Sequence, residues 1–151
     1  GSGTGLLKIA AREATILNII PPTSNGKDFP NDPIATGKFT DEVLKQRVAL
    51  LHEFMQAEGR DPEEMELGGL ALLGLSKDQN DPALREMATN LGFSDYESAQ
   101  RAPVALLGTP EQVRDEIKRR VQESGVTYYI MLSASEETQD LFVSEVMPHF
   151  N

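Results

Sequence analysis

At 151 residues, 39% hydrophobic, the chain has the length of one globular domain or of a piece of a larger one. Its net charge of −10 and sequence pI of about 4.6 disfavour nucleic acid, because phosphate-backbone binding relies on clustered Lys and Arg. No apolar run reaches the ~18 residues of a membrane span, no signal-peptide pattern is visible, and the absence of cysteine removes disulfides, thiolate ligands and a cysteine nucleophile. This composition fits a cytoplasmic protein.

Gly1-Ser2-Gly3-Thr4-Gly5 runs straight into a helical pattern carried by Leu6, Leu7, Ala10, Ala11 and Ala14. Such a glycine turn normally follows a β-strand, since the turn calls for positive φ and the helix start offers unpaired N–H groups. No strand precedes it here. The five residues are therefore read either as a flexible linker or as the point where the middle of a larger α/β protein would begin. On the second reading the backbone N–H groups and the Thr4 hydroxyl could cradle a phosphate, aided by the helix dipole.

Thr15–Ile20 reads as the first strand, with Asn18 as its lone polar residue, either a satisfied core amide or a pocket residue near the strand's end. Pro21–Phe39 follows, with four prolines and no apolar periodicity, and reads as a binding loop or a flexible connection. Thr40 caps a helix from Asp41 to about Glu58, whose buried stripe is Leu44, Val48, Leu51 and Met55, closed by Gly59. His52 lies beside that stripe. Asp61, Glu63, Glu64 and Glu66 form a solvated turn entering the second strand, Glu66–Leu75.

That strand is apolar on both alternating faces, the mark of a strand covered on both sides. Its glycines, Gly68, Gly69 and Gly74, predict close approach by a backbone or a ligand. One or two short helices fall within Asp81–Arg101. Thr109-Pro110-Glu111-Gln112 is a capping box with proline at the first helical position, and its helix buries Val113, Ile117 and Val121 before Gly125 ends it. Arg114, Lys118, Arg119 and Arg120 on this helix alternate with Asp115 and Glu116 and read as a solvated, ion-paired face. Val126–Leu132 is the third strand, with Tyr128 and Tyr129 on opposite faces. A last helix runs from about Glu136 to Met147 behind the Ser135 cap, and His149 follows it. Neither histidine has a second one at metal-ligand spacing, so no metal site is expected.

Strands alternating with helices of this length predict parallel strands joined by crossovers. Three such strands would leave two apolar edges open, which proteins normally avoid. The expectation is an incomplete domain that associates with another copy or with a missing part.

The order of these pieces resembles the C-terminal part of the luciferase-like monooxygenases, flavin- or deazaflavin-dependent oxidoreductases on a (β/α)8 barrel. The resemblance is carried by residues 1–18, with Leu7-Lys8-Ile9-Ala10-Ala11-Arg12-Glu13-Ala14 like the family's helix. It continues through 39–48, through Leu106-Leu107-Gly108-Thr109-Pro110-Glu111-Gln112-Val113, and through Gly125-Val126-Thr127-Tyr128-Tyr129-Ile130. It is nearest to the coenzyme F420 branch.

The resemblance implies an α/β fold, namely a partial (β/α)8 barrel in which residues 1–151 supply about the last three strands as one incomplete domain. It implies FMN or coenzyme F420 as cofactor and assigns Ser2, Gly3, Thr4 and Gly5 to the cofactor phosphate. The chain departs from the family in lacking a strand before that turn, and in Asn18-Ile19-Ile20-Pro21-Pro22, where many members end a strand on glycine. The pocket for the ring system comes largely from the other half, so no catalytic residue is assigned and weak or no cofactor binding by this chain alone is expected. The alternative function is a non-catalytic half-barrel that dimerises and serves as a binding or scaffold module.

Overall fold

A computed structural model describes residues 3–22, 32–133 and 135–150. In chain order its elements are α1 (Thr4–Glu13), β1 (Ile16–Asn18), α2 (Pro33–Gly37), α3 (Asp41–Ala57), β2 (Glu66–Leu75), α4 (Pro82–Asn90) and α5 (Tyr96–Arg101). They continue as β3 (Ala105–Gly108), α6 (Pro110–Ser124), β4 (Val126–Ser133) and α7 (Glu136–Leu141). The three expected strands are present, the first shortened to three residues. A fourth, β3, is added: its four residues are all buried, so it shows no alternation to read.

All pairings in the sheet are parallel, and β2 is its centre. Its even-numbered backbone groups serve one edge, where Glu66 N–H bonds Thr15 and Leu72 N–H bonds Val104. Along that edge β1 pairs with the start of β2 and β3 with its end, so the two short strands lie one above the other. β4 runs along the opposite edge from Leu67 to Leu73. Its register steps from Leu67↔Val126 to Gly68↔Tyr128, which makes Thr127 an extra, bulged residue.

The helices start and stop where side-chain chemistry dictates. Thr40, Asp81, Asp95, Thr109 and Ser135 each accept a hydrogen bond from the first turn of the helix that follows. Thr109 and Gln112 complete the expected capping box. Gly125 ends α6 at φ +68°, a left-handed position that costs a residue with a β-carbon about 1–2 kcal/mol. The connection read as Pro21–Phe39 contains a helix, α2, because Asp32 caps it and Pro33 suits its first position; residues 23–31 of that connection lie outside the described residues. The last helix is regular only to Leu141, then widens into a π-helical turn over Phe142–Val146.

One sheet face is covered. Ala71, Leu73 and Leu75 of β2 and Leu106 of β3 pack on Val113 and Ile117 of α6 and on Leu141 and Val146. Leu17 and Leu67 join a second cluster with α1 (Leu7, Ala10, Ala11) and α3 (Leu44, Val48, Leu51, Met55). The other face is not covered in the same way. Ile16, Tyr128, Ile130 and Leu132 are 53, 44, 39 and 43% exposed, with Leu70 and Leu72 half-buried between them. The expectation that β2 is covered on both sides therefore holds only where α4 and α5 overlie the β2–β3 pair.

Three further expectations change, the first being that Val121 of α6, expected to be buried, is exposed. The close approach at Gly68 comes from a side chain rather than a backbone or ligand: a β-carbon there would meet Asn18 Oδ1 and the Tyr128 ring. Arg120 does not belong to a solvated face. It is 1% exposed and donates to the carbonyls of Gln100, Ala102, Pro103 and Ala105, because the chain entering β3 leaves these acceptors without ladder partners. Arg119, beside it, is ion-paired as expected, to Asp41, Glu116 and Glu123.

Candidate functional site

Each strand of a parallel sheet followed by a helix presents that helix's N-terminus at the strands' carboxyl end, where orphan N–H groups attract anions. At α4, α6 and α7 the caps Asp81, Thr109 and Ser135 already occupy those groups. The start of α1 differs. Its N-cap, Gly3, makes no side-chain hydrogen bond, while the other six described α-helices all have a side chain accepting from the first turn. The first intrahelical bond runs from Leu7 N–H to the Gly3 carbonyl, so the N–H groups of Thr4, Gly5 and Leu6 point out of the helix end.

The geometry there is simpler than the turn expected. Gly3 is extended, at φ −67° and ψ 143°, and neither Gly3 nor Gly5 has positive φ. A β-carbon on either would meet nothing within 4 Å. No acidic side chain lies in the first turn of α1. Thr4 is exposed at the first helical position. Three outward backbone N–H groups and the positive end of the helix dipole thus stand at this end, with no acidic side chain in the first turn. Of the four residues assigned to the cofactor phosphate, Gly3, Thr4 and Gly5 stand together here. Ser2 lies outside the described residues.

The far end of α1 fixes its place in the fold. Arg60, just before β2, donates from Nη1 to the carbonyls of Ala11 and Ala14, both at 2.9 Å. This anchors the helix C-terminus at the amino end of the sheet. The Gly3–Gly5 turn is the end that points away from it, roughly 15 Å along the axis for ten residues.

Asn18, read as a core amide or a pocket residue near the strand's end, is the half-buried last residue of β1. The register sets it beside Gly68 and, across that residue, Tyr128, near the amino ends of β2 and β4. It shares the sheet face of Ile16 and Tyr128 and stands at the carboxyl end of β1, beside the early part of β2. Of the tyrosines, Tyr128 stands on that same face and Tyr129 on the helix-covered one, where burial raises its phenol above the ordinary value.

A cleft of about 480 Å³ opens between α3 and α6 at the amino end, lined by His52, Lys45, Glu63 and Glu123 among others. Reasoning from sequence did not foresee it, since it joins residues from three separate segments. His149 meets Arg114 Nη1 at 2.8 Å through Nε2. Among the described residues no group of three or more His, Asp or Glu side chains is placed to hold a metal ion. No described helix is long and apolar enough to cross a membrane.

No protein-family profile and no curated protein sequence matches the chain. Solved structures do. A coenzyme F420-dependent tetrahydromethanopterin reductase from Methanopyrus kandleri aligns over 100% of this chain and 50% of its own, with TM-score 0.64 and 17% identity. An F420-dependent secondary alcohol dehydrogenase, solved with an F420–acetone adduct, aligns over 100% and 47%, with TM-score 0.65 and 18% identity. A long-chain alkane monooxygenase aligns over 99% and 39%, with TM-score 0.63 and 16% identity. The chain spans half or less of the length of each of these three. Identity this low speaks for the fold alone, and the match covers 99–100% of the chain. The chain has the α/β fold of the matching part of these solved structures.

Proposed function

We propose that the chain is the C-terminal portion of a flavin- or deazaflavin-dependent oxidoreductase of the luciferase-like family. On this reading it forms part of a (β/α)8 barrel, and its contribution is the cofactor-phosphate turn and one wall. The observation that carries the reading is the uncapped start of α1, with three outward N–H groups and no acidic neighbour, in a fold shared with F420-dependent enzymes. FMN or coenzyme F420, when bound, supplies hydride or oxygen chemistry on its ring system. This chain's residues would bind and orient: the backbone of Thr4, Gly5 and Leu6 and the Thr4 hydroxyl would hold the phosphate, and Gly3 and Gly5 leave room for it.

The remaining walls of the ring pocket are not among these elements, so the chain alone holds the cofactor weakly and is inactive. The test is a backbone-amide NMR titration with FMN and, in parallel, riboflavin, which differs by lacking the phosphate. The expected result is a shift of the Thr4, Gly5 and Leu6 resonances with FMN and none with riboflavin. Equal response to both, or none to FMN, would overturn the phosphate assignment. Tight stoichiometric binding of FMN would overturn the idea that one wall is too little to enclose the ring.

A further inference from the structure

The cleft of about 480 Å³ between α3 and α6 is separate from the Gly3–Gly5 turn, which stands at the other end of α1. Its walls and floor come from residues around β2, the strand with neighbours on both edges. Its shape therefore does not depend on what lies beside the outer edges of β1 and β4. The volume falls within the range of small-molecule sites, about 300–1,000 Å³. Buried Val48, Met65 and Leu67 give it an apolar floor.

The rim carries the charge. Lys45 is already engaged, with Asp41 at 2.9 Å and Glu123 at 2.6 Å. The exposed Glu63 carboxylate has no hydrogen-bond or ion-pair partner among the described residues, and neither has the half-buried His52 ring. α6 ends at the cleft on Ser124 and Gly125, and its last carbonyls lie past the final intrahelical bond, from Gly125 N–H to the Val121 carbonyl. The negative end of the helix dipole thus adds to the charge of Glu63 and Glu123. We propose that this cleft binds a small organic cation, an aryl- or alkylammonium. Its apolar body rests on Val48, Met65 and Leu67 while its ammonium donates to the Glu63 carboxylate. His52, in its neutral form, offers a second acceptor. An anion of the same shape would meet two carboxylates and the wrong end of a helix, with the nearest ammonium already taken.

Backbone-amide NMR of the chain reads the outcome, with tryptamine and indole-3-propionate as probes of like shape and opposite charge. Tryptamine is expected to shift the Ala49, His52, Met65 and Gly125 resonances saturably, and indole-3-propionate to leave them in place. Glu63→Gln, whose side chain takes no part in the Asp61–Glu64 capping box, is expected to weaken tryptamine binding about two- to fivefold. Ala49→Trp, at an exposed position, fills the cleft and is expected to abolish the response with an unchanged urea midpoint. No response to tryptamine, shifts scattered outside the cleft, equal response to both probes, or unchanged affinity in Glu63→Gln would overturn the proposal. The comparison of probes needs no variant, so it decides the matter even where Ala49→Trp disturbs folding. FMN takes no part in these readouts, so they succeed or fail separately from the phosphate assignment.

Discussion

Arg120 Nη2 donates to the Ala105 carbonyl at 2.6 Å while Nε of the same guanidinium holds Glu116 at 2.7 Å. One buried cation therefore ties the entry of β3 to α6, paired with Glu116 and hydrogen-bonded to the surrounding carbonyls. Removing one partner of such a group leaves the other uncompensated. Arg120→Ala is expected to destabilise the fold by about 3–5 kcal/mol, read as a lower urea midpoint. Arg120→Lys would recover only part of this, because an ammonium lacks the planar fork that reaches several acceptors.

The same cluster makes stability depend on acid. Burial alone would raise the Glu116 carboxyl, but hydrogen bonds from Arg119 and the charge of Arg120 outweigh it, so its pKa ends below the ordinary value of 4.5. Asp41 is likewise lowered: burial acts upward, and hydrogen bonds from Arg119 and Lys45 act more strongly downward. A carboxyl lowered on folding stabilises the native state fully above its unfolded value and loses that contribution as pH falls toward its folded value. Urea midpoints are expected to hold steady near neutrality and to drop as pH falls below about 4.5. In Glu116→Gln that drop should be shallower. An unchanged slope would mean that other carboxyls dominate acid unfolding.

Gly68 is occupied from above by the Asn18 amide and from the side by the Tyr128 ring. Gly68→Ala forces one of them to shift, and overpacking of this kind costs about 1–3 kcal/mol. In Asn18→Ala the crowding oxygen is gone, so adding Gly68→Ala to that background should cost clearly less. A double-mutant cycle by chemical denaturation checks the coupling; strict additivity would show that Asn18 is not the obstacle.

Gly125 sits in the left-handed region at the α6–β4 junction. Gly125→Ala is expected to lose about 1–2 kcal/mol. The space around it is open, the nearest atom to an added β-carbon being Leu67 Cδ1 at 3.9 Å, so the loss would be one of backbone conformation alone. Gly125→Asn should therefore be milder than Gly125→Ala, since Asn tolerates that region better. Thermal unfolding of the two variants would separate conformation from packing.

Much of this fold can be read locally. The Thr40, Thr109 and Ser135 caps, the α3 stripe, the full extent of β2 and the parallel arrangement all follow from periodicity and capping chemistry, which act within a few residues. The Gly3–Gly5 segment was also legible as a helix start. Its conformation was not: an extended Gly3 serves as N-cap without positive φ.

Tertiary contacts decided the rest. β3 exists because Leu72–Leu75 offer it a ladder, and four uniformly buried residues carry no period of their own. Arg120 looks like its surface neighbours in sequence, yet carbonyls fifteen to twenty residues away draw it inward. The bulge at Thr127 sets Tyr128, and not Tyr129, on the uncovered face; a period of two tells that the tyrosines oppose each other but not which side each takes. Patterns within a segment report its own preference for helix or strand. Which face meets water depends on register between strands far apart in the chain, and that is settled only when they pair.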